Sequence, residues 1–326
     1  MNNNYILTKR ANRNKEKAIL LLLTAFCSLF PAFLFAQMEW TCATDSAGWS
    51  GRWGLQSVIL NNKIWILGGN DGNLRNDVWF SSDGVNWICA TNSAGWSPRH
   101  CASSVIFDNK LWVIGGYDNI SKNDVWFSAD GVNWTCATDS AEWIPRSAHT
   151  SIVFGNRIWG IGGYSDDFMN DVWYSSDGAN WICATPNAEW SARVGLRSVV
   201  FDNKMWILAG TPAGSDVWFS TDGVDWECAT SSAQWSARYG HTSLVFDNKM
   251  WIIGGNGPRN DVWYSADGVN WTCADDSAEW SAREWHSSVV FENKMWVLGD
   301  VEVISTTIMM MSGIQEVLGL KKIEIR

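Results

Sequence analysis

The stretch KLWVIGGYDNISKNDVWFSADGVNWTCA, residues 110–137, decides how the whole chain is read. Its runs are short and strand-like: KLWVIGG, then the alternating Asp124-Val125-Trp126-Phe127-Ser128, then a segment through Trp134-Thr135-Cys136-Ala137. SSVIF at 103–107 precedes them across Asp108-Asn109, a two-residue hairpin turn. Ala129-Asp130-Gly131 supplies the next reversal, since Asp and Gly tolerate the backbone geometry of a tight turn. Four short strands joined by tight turns predict an antiparallel sheet, and no segment after residue 36 has a helical period.

Working outward, the unit repeats. Trp-x-Cys-Ala recurs at Trp40, Trp87, Trp134, Trp181, Trp226 and Trp271, in steps of 47, 47, 47, 45 and 45 residues. A second Trp recurs from Trp49 to Trp280, a third from Trp65 to Trp296, and a fourth, in Asp-Val-Trp, from Trp79 to Trp263. These sets hold 23 of the 25 tryptophans and leave Trp53 and Trp285 outside the pattern. Four antiparallel strands at a period in the mid-forties describe a propeller blade.

Gly-Gly closing the second strand at 68–69, 115–116, 162–163 and 254–255, followed by Asp-Val-Trp and a later Trp, resembles the kelch repeat over residues 38 to about 299. Blade four departs with Ala209-Gly210, and Ser81, Ser128, Ser175, Ser220 and Ser265 replace the second kelch aromatic. The Ser-x-Asp-Gly-x-x-Trp hairpins resemble a shortened Asp-box, which in sialidases is structural and lies away from the catalytic centre. The expected fold is all-β, a six-bladed kelch-like β-propeller whose N-terminal strand closes the last blade. That last blade is expected to be incomplete, because Asp-Val-Trp has no sixth copy.

The expected domains are a leader at 1–36, the propeller at 37–299 and an aberrant tail at 300–326. Five basic residues before the apolar run AILLLLTAFCSLFPAFLFA read as a signal peptide or an uncleaved signal anchor, so the propeller is expected to be secreted, periplasmic or at the cell surface. In the tail, codons ATG ATG ATG TCN for Met309-Met310-Met311-Ser312 give Asp-Asp-Val when read from the third base. The following shifted codons are compatible with Trp-Tyr-Ser, the missing third strand. A frame-shift near Gly299–Val301 is therefore expected, with a non-functional product as one consequence.

Net charge is −10, from 24 Lys and Arg against 34 Asp and Glu; without the leader the balance is 19 against 33. An acidic body argues against nucleic acid or an anionic membrane surface as partner. Six of eight cysteines occupy one repeat position and are expected to be small buried residues too far apart to bridge, with Cys101 a free thiol near the axis. No metal-ligand spacing occurs within a unit, and no cofactor is expected. The repeated Trp residues and the once-per-blade Arg52, Arg99, Arg146, Arg193, Arg238 and Arg283 are read as structural, the arginines bonding loop carbonyls or a neighbouring Asp.

Function is expected where the repeat is broken. The loops before the first strand and after the second share one face in kelch-like propellers. The first set brings Trp53, His100, His149, Arg197, Tyr239, His241, Glu284, Trp285 and His286 to the channel mouth as candidate ligand-binding residues. The second set is expected to form a polar rim. The leading expectation is a non-catalytic recognition protein with a glycan or protein ligand. One alternative is a carbohydrate-active enzyme resembling the sialic-acid-epimerase type, with Arg197 and Glu284 as catalytic candidates. A galactose-oxidase-like copper enzyme is only loosely echoed by Tyr239, His241 and Cys101.

Overall fold

The computed structural model describes residues 38–257, 259–299 and 308–312, the last as backbone. All lie in one unit, Met38–Ile314. The leader and the remaining tail positions fall outside the described residues.

The strands form six four-stranded antiparallel sheets. Five are contiguous in sequence, at 56–91, 103–138, 150–185, 197–230 and 242–275, and are numbered here as blades one to five. Blade two runs from the inner strand Ser103–Phe107 through Lys110–Tyr117 and Ser121–Ser128 to the outer strand Thr135–Thr138. Blade six is composite: Ser287–Phe291, Lys294–Leu298 and Ile308–Ser312 are joined by the N-terminal Trp40–Thr44 as outer strand.

The expectation of an incomplete last blade is therefore corrected. Ile308–Ser312 fills the third place, pairing Val297 with Met309 on one side and Met309 with Cys42 on the other. Elsewhere that register position belongs to Trp79, Trp126, Trp173, Trp218 and Trp263. Two facing edges with unpaired N–H and C=O groups accept any extended backbone, whatever its side chains.

Each inner strand packs against the inner strands of both neighbouring blades, which closes the ring. The inner hairpins turn on residues such as Asp108 and Asn109, with φ of 49° and 54°, the left-handed pair such a two-residue turn requires. The core lies between blades as six apolar clusters. Edge-to-face tryptophan pairs join successive blades, among them Trp96–Trp134 at 5.8 Å, and Trp280–Trp40 at 5.9 Å continues the series onto the N-terminal strand. Some conformationally demanding positions sit at these junctions. Gly131 holds φ +74°, and a Cβ there would lie 2.1 Å from the Trp65 ring of the preceding blade.

The repeated Asp-Val-Trp and Arg form one clamp. Arg99 donates to both carboxylate oxygens of Asp124, at 2.6 and 2.8 Å, and to the Gly115 carbonyl, while the Trp126 indole donates to Asp124 at 2.8 Å. The arginine thereby fixes the chain entering a blade onto that blade's second and third strands, as expected. Ser128-Ala-Asp130-Gly131 is likewise structural: Asp130 accepts the amides of Val132 and Asn133, and these bonds with the Asn133 side chain hold its carboxyl down to about 2.

The repeated cysteines differ from expectation. Cys42, Cys89, Cys228 and Cys273 are exposed, and Cys136 and Cys183 are half-buried. The outer strand has no further strand to cover its free side, so a fixed place in the repeat does not mean burial. All seven described cysteines are free, including the buried Cys101.

Candidate functional site

One face is organised by the backbone. Just before each inner strand stands a residue with left-handed φ: Gly54, Cys101, Ala148, Gly195, Gly240 and Trp285. Each N–H in this set donates to the carbonyl of the equivalent residue in the preceding blade, from Cys101 N to Gly54 O at 2.9 Å round to Gly54 N to Trp285 O at 2.8 Å. The channel mouth is thus framed by a closed circuit of six backbone hydrogen bonds. Outside it, Trp53 pairs with Asn70, His100 with Tyr117, Ser147 with Tyr164 and Val194 with Thr211. Those pairs bring the two loop sets onto the same face, as the sequence reading requires.

The candidate residues divide. Trp53, His100, Tyr239, Glu284 and Trp285 are partly exposed around the mouth. Trp53 meets His100 at 4.4 Å with the rings tilted, and His100 meets Tyr117 at 5.5 Å. Tyr239 meets Trp285 at 5.9 Å, and the Trp285 ring lies across Gly195 and Gly240, leaving 3.1 Å to the place a Cβ would take on either.

His149, His241 and His286 are corrected out of this set. They are buried, at 3 %, 0 % and 1 % exposure, in the place that Leu55, Ala102 and Leu196 take in the other blades. His149 packs beside Trp143 at 6.1 Å and borders a cavity of about 10 Å³ next to Gly160. Burial pushes the His149 imidazole down to about 3, and those of His241 and His286 well below the usual range, so all three stay neutral.

Arg197 and Glu284 form no described ion pair with each other or with any other group, and burial alone raises the Glu284 carboxyl. Arg197 is the first residue of blade four's inner strand, with its guanidinium 5.9 Å from the Trp285 ring. Tyr239, His241 and Cys101 form no metal site, and among the described residues no group of three or more His, Cys, Asp or Glu is arranged to hold one.

The polar-rim expectation fails over blades two and three. Tyr117, Ile120, Tyr164 and Phe168 are exposed there, and Tyr164 meets Phe168 at 5.6 Å. Ile144, 59 % exposed, lies just before Arg146, whose backbone bridges Lys122 on the same rim. Its place is Ser50, Ser97, Ser191, Ser236 and Ser281 in the other blades. The signal for this patch was therefore present as one Ile among five Ser, beside two aromatics at the end of second strands.

The geometry defines a β-propeller with one framed, chemically uneven mouth face. Residues 98–126 match the family model of the Kelch motif, which together with the ring of four-stranded blades supports a kelch-repeat β-propeller. No curated protein matches the chain.

Proposed function

We propose that this protein is an exported, non-catalytic recognition module that binds another protein through the mouth face, with its centre over blades two and three. The carrying observation is the concentration of Tyr117, Ile120, Ile144, Tyr164 and Phe168 on two adjacent blades. Exposed apolar and aromatic side chains grouped on one face and bordered by polar loops are what a partner's apolar anchors need. Kelch propellers commonly bind proteins, which agrees with this reading. The basic and apolar leader supports export. The lack of a described ion pair between Arg197 and Glu284 gives the epimerase-like alternative no support, while the Trp53–His100–Tyr117 cluster makes a glycan the competing ligand.

Ile144→Ser restores the residue of the other five blades, and Ile120→Asp/Phe168→Asp places charge in the patch. Ser236→Asp alters the equivalent place on blade five and is the control. Affinity capture from the extracytoplasmic fraction should yield a partner whose affinity falls at least about tenfold in the patch variants and is unchanged in the control. Glycan-array binding by the wild type that survives both patch variants, with no such partner, overturns the protein reading.

A further inference from the structure

The channel wall carries a second, independent feature. The first residues of the inner strands are Gln56, Ser103, Thr150, Arg197, Thr242 and Ser287, and the second residue is Ser in all six blades. Hydroxyls pair across blade junctions, the first residue of one blade with the second of the next: Thr150–Ser198 at 2.6 Å, Thr242–Ser288 at 2.5 Å and Ser287–Ser57 at 2.6 Å. The other three junctions lack such a pair: Gln56 stands in the first place between blades one and two, Ser151 Oγ is buried without a partner between blades two and three, and the junction of blades four and five differs from both in carrying a charge. Arg197 stands where Ser or Thr would pair with Ser243, and the Ser243 Oγ is buried without a hydrogen-bond partner.

The Arg197 guanidinium donates to its neighbour's carbonyl, Leu196 O, at 3.1 Å, and no described carboxylate pairs with it. As first residue of an inner strand in a ring of inner strands, Arg197 lies at the channel wall, and its charge is felt at Cys101, His149, His241 and His286, groups from four other blades. None of them answers the charge. The three histidines are neutral, and burial pushes the Cys101 thiol up to about 12. A half-buried cation without a counter-charge is partly desolvated, and a bound anion relieves that cost.

We infer that the channel holds a binding site for a small carboxylate at the junction of blades four and five, with Arg197 and Ser243 as its polar partners and Trp285 as its apolar wall. The planar guanidinium fork matches two carboxylate oxygens, and the free Ser243 hydroxyl supplies a further donor. The carboxylate comes either as a free ion or as the acidic end of a longer ligand entering from the mouth, and acetate and glucuronate distinguish the two.

The test follows thermal stability of the propeller against sodium acetate, sodium glucuronate and sodium chloride at matched ionic strength. Saturable stabilisation by acetate beyond chloride is expected, and a stronger effect of glucuronate identifies the longer ligand. Arg197→Thr takes the residue of blades three and five, and Arg197→Gln that of blade one. Both should bind at least about tenfold more weakly, and Arg197→Thr should be more stable than wild type without carboxylate. Equal effects of all three salts on wild type, or a carboxylate effect unchanged in both variants, overturn the inference.

Discussion

His149, His241 and His286 show how a chemically suggestive residue can serve packing. Each is the only kind of side chain in the chain whose ordinary titration lies near neutrality, yet each is shut between blades, His149 and His241 with both ring nitrogens unbonded. Their folded pKa values are depressed, so the unfolded chain binds protons that the folded one refuses. The sign follows: their stabilising contribution is complete above about pH 6.5 and is lost as pH falls below that, by up to about 1.4 kcal/mol per pH unit for each histidine. Urea midpoints between pH 7.5 and 4 should drop steeply for wild type. The triple variant His149→Leu/His241→Leu/His286→Leu, using the residue of blades one and four, should flatten that slope. Below about pH 4 both proteins should weaken further, because turn carboxylates such as Asp83, Asp130, Asp177 and Asp267, held to about 2, must then be protonated.

At the scale of the blade, the unit of stability is the Arg–Asp–Trp clamp. In blade three Arg146 is buried and donates to both oxygens of Asp171, which also accepts from Trp173 at 2.7 Å. Asp171→Ala strands a buried guanidinium, and equilibrium unfolding in urea should show a loss of about 3–5 kcal/mol. Arg146→Met/Asp171→Leu removes both charges and should recover part of it; equal loss in single and double variants would count against the clamp. The strands, turns and clamp residues of this element were legible in the sequence, since alternation, Asx turns and a recurring Asp-Val-Trp are local signals. The outer-strand cysteines were not. Recurrence at one position tells that a place is structurally equivalent in every blade, but only the neighbouring layer decides whether it is covered.

At the scale of the molecule, closure depends on blade six. Its third strand lies in register with those of the other blades but without their Asp-Val-Trp. Exchanging residues 300–312 for 255–265 of blade five supplies that motif in the same register. Calorimetry should show Tm rising by roughly 5 °C, and an unchanged Tm would mean that backbone pairing alone stabilises closure there. The frame-shift reading proposes the same motif for the original text, so resequencing across this region tests it directly.

The sequence by itself determined the propeller, its repeat boundaries and the velcro of an N-terminal outer strand, because period, turn chemistry and strand alternation act over neighbouring residues. It also singled out the mouth-face loops as the place where the repeat breaks. Only the tertiary structure decided which of those residues face solvent. His149, His241 and His286 were withdrawn into the blade junctions, Ile144, Tyr117, Ile120, Tyr164 and Phe168 were left exposed on blades two and three, and Arg197 was set at the start of an inner strand beside Trp285. The burial of the histidines depends on the packing of one blade against the next, which no local pattern in the chain carries, whereas Ile144 was marked in the sequence as the one Ile among five Ser.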